Sequence, residues 1–161
     1  MLTRRLVLMG AAAVGATIPA LMRGSPAKAA VYPLTLTDVQ WKGRLTPTQY
    51  TILRQAGTEI PFTSPLLKEH RAGLFACAGC NQDAFDSKTK FDSGTGWPSF
   101  YASLPHAVIT KNDRSLGMDR TEVLCSRCGG HLGHVFDDGP KPTGLRYCMN
   151  GAAMTFHPSK V

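Results

Sequence analysis

The chain has 161 residues, with 18 lysines and arginines against 11 acidic residues, a formal charge of +7. Four of those cations (Arg4, Arg5, Arg23, Lys28) and none of the acids fall in residues 1–29, so the remaining 132 residues carry only +3. That balance, with no basic stripe interleaved with aromatics, excludes nucleic acid as the expected partner, and the length suits one domain rather than two.

Residues 1–29 read as an export signal. Arg4-Arg5 precede an apolar Gly/Ala-rich run from Leu6 to Met22, and Ala27-Lys28-Ala29 has the small-x-small pattern of a cleavage site. The paired arginines suggest the twin-arginine route, which exports folded proteins, and hence a periplasmic address. A membrane anchor and a general secretory leader are the competing readings. Gly10, Gly15 and Pro19 inside a short run disfavour a stable span. The functional domain is then expected over residues 30–161.

After an extended lead-in from Ala30 to Thr37, Thr46-Pro47-x-Gln49 predicts a short helix with an N-cap, a proline at the first position and a capping box. Tyr50, Ile52 and Leu53 would face the core and Gly57 would end the helix. Trp41 is assigned to the core. From Gly73 onward short β-branched and aromatic runs alternate with Gly, Pro, Asn and Asp. Residues 74–76, 107–110, 121–124, 134–136 and 153–156 are the strand candidates. Little helix and many short strands suggest a compact, mainly β antiparallel domain with a small helical N-terminal layer.

Five cysteines organise the chemistry. Cys77-Ala-Gly-Cys80 and Cys125-Ser-Arg-Cys128 have the ligand spacing of a closed tetrahedral zinc site, although 44 residues separate the pairs. Disulfides within each pair are the alternative for an exported protein. Zinc would join two distant turns and stabilise a small core away from the reaction. Cys148 is left over, beside Arg146, which shares its strand face with Asn150 and can favour a thiolate.

Two histidines, His131 and His134, stand three apart in a Gly-rich segment, on a turn or strand entry. They can replace one cysteine pair on the metal, lie idle at the surface, or handle protons; a thiol-based reaction favours the last. Trp97, between Gly96 and Pro98, is either core or one wall of an apolar pocket.

Together these motifs resemble the B-type peptide methionine sulfoxide reductases, which act on the R epimer of methionine sulfoxide. The match includes Phe91-Asp92-Ser93-Gly94-x-Gly96-Trp97-Pro98-Ser99-Phe100, His131-Leu132-Gly133-His134-Val135-Phe136 and Pro142-Thr143-Gly144-x-Arg146-Tyr147-Cys148-x-Asn150. It implies a mainly β fold class, two antiparallel sheets forming a barrel-like core with a small helical N-terminal layer and a zinc clip. With that fold it implies structural Zn2+ on Cys77, Cys80, Cys125 and Cys128, and Cys148 as nucleophile with His131 and His134 as proton handlers. It also implies Trp97, Phe136, Asp138, Arg146 and Asn150 around the substrate, and a role in repairing oxidative damage. Two positions depart from the family pattern. Thr95 stands where a recycling cysteine is often found, so no internal disulfide to Cys148 is expected. The oxidised enzyme would need an external thiol, from a thioredoxin-like or glutaredoxin-like protein or a small molecule. Gly151 stands where serine is frequent. The alternative functions are a zinc-ribbon-like binding module and a redox-switched chaperone.

Overall fold

The computed structural model describes residues 31–160; the expected leader lies outside the described residues. Two helices open by the same device. Thr37 caps α1 (Asp38–Arg44) and Thr46 caps α2 (Pro47–Gln55), each with a reciprocal capping box to the glutamine three residues on. The second was legible in the sequence; the first was not singled out there. Trp41, Ile52 and Leu53 are buried, as expected. The stop differs by one residue: Ala56, at φ 52°, takes the left-handed cap. Gly57 follows because a Cβ there would meet the side chain and carbonyl of Thr51 at 2.9 and 3.0 Å.

Nine strands follow: β1 (Gly73–Cys77), β2 (Asp83–Asp86), β3 (Lys90–Phe91), β4 (Ser99–Phe100), β5 (Val108–Asp113), β6 (Arg120–Cys125), β7 (His131–Phe136), β8 (Arg146–Met149) and β9 (Met154–Pro158). They form two antiparallel sheets, β2-β1-β9 and β3-β4-β8-β7-β6-β5. Each sheet is open, so the expected barrel-like core is two packed layers, with no closed ring of strands among the described residues. All five strand candidates are strands, and the one at 134–136 begins earlier, so that both histidines sit on β7.

Aromatic rings fill the space between the layers. Phe75 and Phe85 of the small sheet meet Phe100 of the large one at 5.0 and 4.5 Å between centroids, and Phe85 meets Tyr147 of β8 at 5.6 Å. All three phenylalanines are fully buried, a burial worth roughly 2–3 kcal/mol each. That core fixes β8 near the middle of the large sheet, with β4 on one side and β7 on the other. Among the described residues no helix is long and apolar enough to cross a membrane.

Candidate active site

The four paired cysteines converge. Cys77 ends β1 and Cys125 ends β6, and the turns after them are built alike. In each turn the first cysteine's N–H donates five residues ahead (Gln82, Gly130) and its carbonyl accepts from four residues ahead (Asn81, Gly129). Both residues accepting that bend have left-handed backbone, at φ 60° and 67°. The result is four buried sulfurs within 4.8 Å of one another, including Cys77–Cys128 at 3.7 Å and Cys80–Cys125 at 3.4 Å. A tetrahedron of thiolates on a zinc ion has edges of about 3.8 Å, so the donor set fits a tetrahedral metal ion. Proton sharing among the sulfurs pushes Cys77 up, first through Cys125, and pushes Cys125 down, first through Cys128. A dication removes that competition. His131 and His134 take no part in the cluster, which removes the metal-ligand reading for them.

Cys148 is elsewhere in the sheet. On β8 it faces Ser99 of β4 on one side and His134 of β7 on the other. It is half-buried, unlike the other four sulfurs. The Thr95 hydroxyl lies 3.8 Å from its Sγ, and Ser93 links Thr95 (2.8 Å) to the fully buried Ser99 (2.7 Å). Burial pushes the thiol above its ordinary value; the Thr95 hydroxyl and the Arg146 charge pull it back, and burial wins. The pull from Arg146 therefore does not by itself offset the burial. The reason is visible: the Arg146 guanidinium is clamped by both Asp138 oxygens at 2.8 Å and lies 4.4 Å over the Phe136 ring.

Beside Cys148 opens a cleft of about 130 Å³ lined by Thr58, Trp97, Arg120, Gly133, His134, Phe136, Cys148, Met149 and Asn150. Five of the eight residues proposed for catalysis and substrate thus share one cavity. Gly133 is required between the histidines, because a Cβ there would fall 2.1 Å from the Cys148 carbonyl oxygen. Trp97 is held by its indole N–H, which donates to the Glu59 carbonyl at 3.2 Å. Asn150 lines the cleft, yet its amide is committed to the framework. Its Oδ1 accepts from Glu59 N–H at 3.0 Å and its Nδ2 donates to the Leu132 carbonyl at 3.2 Å. Asn150 therefore positions the Glu59 segment, and through it Trp97. Asp138 and Arg146 stand behind Phe136 rather than in the cleft lining.

Each histidine has a carboxylate that the sequence reading missed. His134 Nε2 is 2.8 Å from Asp113 Oδ2, and His131 Nδ1 is 2.7 Å from Glu122 Oε1. Asp113 also accepts from Arg120 at 2.7 Å and from the Ser115 N–H, and the Ser115 contacts are the largest reason its carboxyl stays well below the usual range. The two rings meet edge to face, 5.3 Å apart. His131 is 3% exposed, burial holds its pKa down, and its Nε2 has no hydrogen-bond partner. The signal for these carboxylates was Arg120 and Glu122, charges at alternate positions on a strand adjoining the histidine strand.

A thiol, a paired histidine, an indole wall and an aromatic floor make a site for attack on a small polarised group with a proton delivered nearby. Comparison with known proteins agrees. The SelR domain model matches residues 45–158. The peptide methionine sulfoxide reductase MsrB of Leptospira interrogans is 56% identical over 126 residues, covering 78% of this chain and 96% of that protein. The MsrB proteins of Thiobacillus denitrificans (57% over 123 residues, 76% and 93% coverage) and Methanosarcina barkeri (54% over 121 residues, 74% and 85%) are similarly related. With a family model spanning most of the chain and relatives above half identity, the chain belongs to the SelR domain family, that of the MsrB-type peptide methionine sulfoxide reductases.

Proposed function

We propose that this chain reduces the R epimer of methionine sulfoxide to methionine, with Cys148 as the nucleophile. The observation that carries this reading is the isolation of that thiol from the four-sulfur cluster, on the edge of a cleft walled by Trp97, His134 and Phe136. The Cys148 sulfur attacks the sulfoxide sulfur as its proton leaves. Two electrons pass from the cysteine to the substrate, the sulfur–oxygen bond breaks, and the oxygen ends on Cys148 as a sulfenic acid while the thioether departs. His134, anchored through Nε2 to Asp113, keeps its other ring nitrogen to carry the proton onto the oxygen. His131, with one nitrogen on Glu122 and the other without a protein partner, supports the transfer from behind. The Trp97 indole packs against the substrate's terminal methyl, and its fixed tilt sorts the two epimers by shape.

Recycling is external. Thr95, which stands beside the thiol, has no sulfur with which to form a disulfide. One thiol condenses with the sulfenic acid, releasing water and leaving a mixed disulfide; a second thiol frees Cys148 and leaves as a disulfide with the first. A thioredoxin-like or glutaredoxin-like protein or a small thiol supplies both. Cys77, Cys80, Cys125 and Cys128 hold a structural Zn2+, which ties the ends of β1 and β6 together and supplies no chemistry to turnover. The sequence of residues 1–29 supports export by the twin-arginine route to the periplasm, with cleavage after the Ala27-Lys28-Ala29 segment.

The test is incubation of the protein and dithiothreitol with R- and S-methionine sulfoxide, followed by chromatography of each epimer. Loss of the R form alone, abolished in Cys148→Ser, is the expected result; loss of neither overturns the reading. Intact-mass measurement after one turnover without reductant should show one added oxygen on Cys148, and an internal disulfide to Cys148 would refute external recycling.

A further inference from the structure

The cleft at Cys148 is well below the about 300 Å³ at which ordinary small-molecule pockets begin. It suits the end of one side chain and leaves the rest of any larger substrate outside. A second cavity of about 670 Å³ adjoins it, and Thr58 lines both. The chain also runs directly from one to the other, since Asn150 lines the cleft and Gly151 and Ala152 line the groove. Apolar side chains shape it, Leu66, Ala152 and the buried Met154 with Pro65, and Ile60 stands on its edge at 72% exposure.

The groove presents no free charge from its lining. Glu59 is the one ionisable residue there, and its two carboxylate oxygens accept the main-chain N–H groups of Gly151 and Ala152. An acidic residue entering this space would lose water and meet the Glu59 carboxylate with no counter-charge. Resting on the reductase reading above, we propose that this groove is a subsite for the polypeptide flanking the oxidised methionine, selective for an uncharged apolar residue on one side of it. Seating that neighbour against Ile60, Leu66 and Ala152 presents the sulfoxide to Cys148. The Glu59 segment that holds Trp97 therefore forms the partition between side-chain site and flank site.

The experiment uses N-acetyl-methionine-R-sulfoxide amide, which ends at the cleft, and two peptide series with leucine, alanine, aspartate or lysine placed before or after the sulfoxide. Every kcat/KM is divided by that of the unflanked substrate, with dithiothreitol as reductant. In one of the two series leucine should exceed aspartate by roughly tenfold, a ratio a single well-buried apolar side chain supports. Ile60→Asp should collapse that ratio toward one, and Ile60→Leu should preserve it. Equal rates for leucine and aspartate in both series overturn the proposal, as does an unchanged ratio in Ile60→Asp. An Ile60→Asp effect confined to the KM for the reducing thiol would give the groove to the reductant and equally overturn it. Failure of the unflanked substrate to react at all is a failure of the reductase reading instead.

Discussion

Cys80 and Cys148 both stand outside any disulfide, yet one is sealed among three other sulfurs and the other stands alone beside a cleft. The sealed site is built by repetition: two turns with the same hydrogen-bond pattern and the same left-handed residue bring four identical donors to one point. The open site is built by asymmetry. Three strands bring a thiol, a serine and a histidine abreast, and the groups around them are oriented by partners from loops far away in sequence, such as Glu59 beneath Trp97. A metal knot needs only that its ligands agree with one another, whereas a reactive thiol needs each neighbour to be different. Breaking one member should therefore have opposite consequences at the two places.

At the knot the consequence is structural. Cys125→Ser removes a fully buried donor and leaves three crowded sulfurs with no fourth partner. Because metal affinity in such sites is folding free energy, the loss should be on the order of 3–5 kcal/mol, or a melting temperature lower by about 10 °C or more. Stripping the metal from the wild type with a chelator at elevated temperature should give the same shift. Cys148→Ser, by contrast, should melt within about 2 °C of the wild type while losing all turnover. Calorimetry on the two variants decides it; equal melting temperatures would dissolve the distinction.

Much of this contrast was legible from the chain because it rests on local signals. The paired cysteines have metal spacing, Thr46-Pro47-x-Gln49 spells out a helix start, and the β-branched runs mark β1, β5, β6 and β9. Other parts were hidden for physical reasons. The two-residue strands β3 and β4 are too short to show any alternation, and they form only because β8 pairs with β4. Glu122 was missed because its partner His131 lies on the next strand, across a register shift between Val123 and Leu124, and Asp113 because it reaches His134 from β5, two strands away. Asn150 lines the cleft as its motif suggests, but its hydrogen bond to the Glu59 main chain could not be read from the sequence, because the partner lies 91 positions away. Spacing names the knot, but only the folded register assembles the open site.

Gly151 lies just past that open site and gives a smaller effect. A Cβ there would fall 1.8 Å from the Ser64 hydroxyl and 2.6 Å from the Ser64 Cβ. A side chain at position 151 would thus compete with the Ser64 side chain already occupying the space. Gly151→Ser should cost about 1–3 kcal/mol by overpacking. Ser64→Gly alone loses only a few tenths at the short turn Ser64 caps, where its Oγ accepts from Leu66 N–H. The double variant should recover more than half of the loss, a coupling readable in a denaturant double-mutant cycle. Additive losses would mean the two positions do not compete.

The finest effect concerns the hold of Thr95 on the open sulfur. Burial raises the Cys148 thiol, and the Thr95 hydroxyl is the strongest of the groups pulling it down. Thr95→Val keeps the shape and removes the hydroxyl, so the thiol should titrate higher than in the wild type. Since the thiolate is the reactive form, alkylation by iodoacetamide should climb with pH in both proteins, with the variant's curve displaced toward alkali. At neutral pH the variant should react more slowly than the wild type. The measurement is specific because the four other sulfurs are buried in their cluster and out of reach of the reagent. A variant that reacts as fast as the wild type would show that the hydroxyl does not touch the thiol's proton equilibrium. A faster one would show that the hydroxyl accepts from the thiol instead of donating to the thiolate, reversing the direction of its pull.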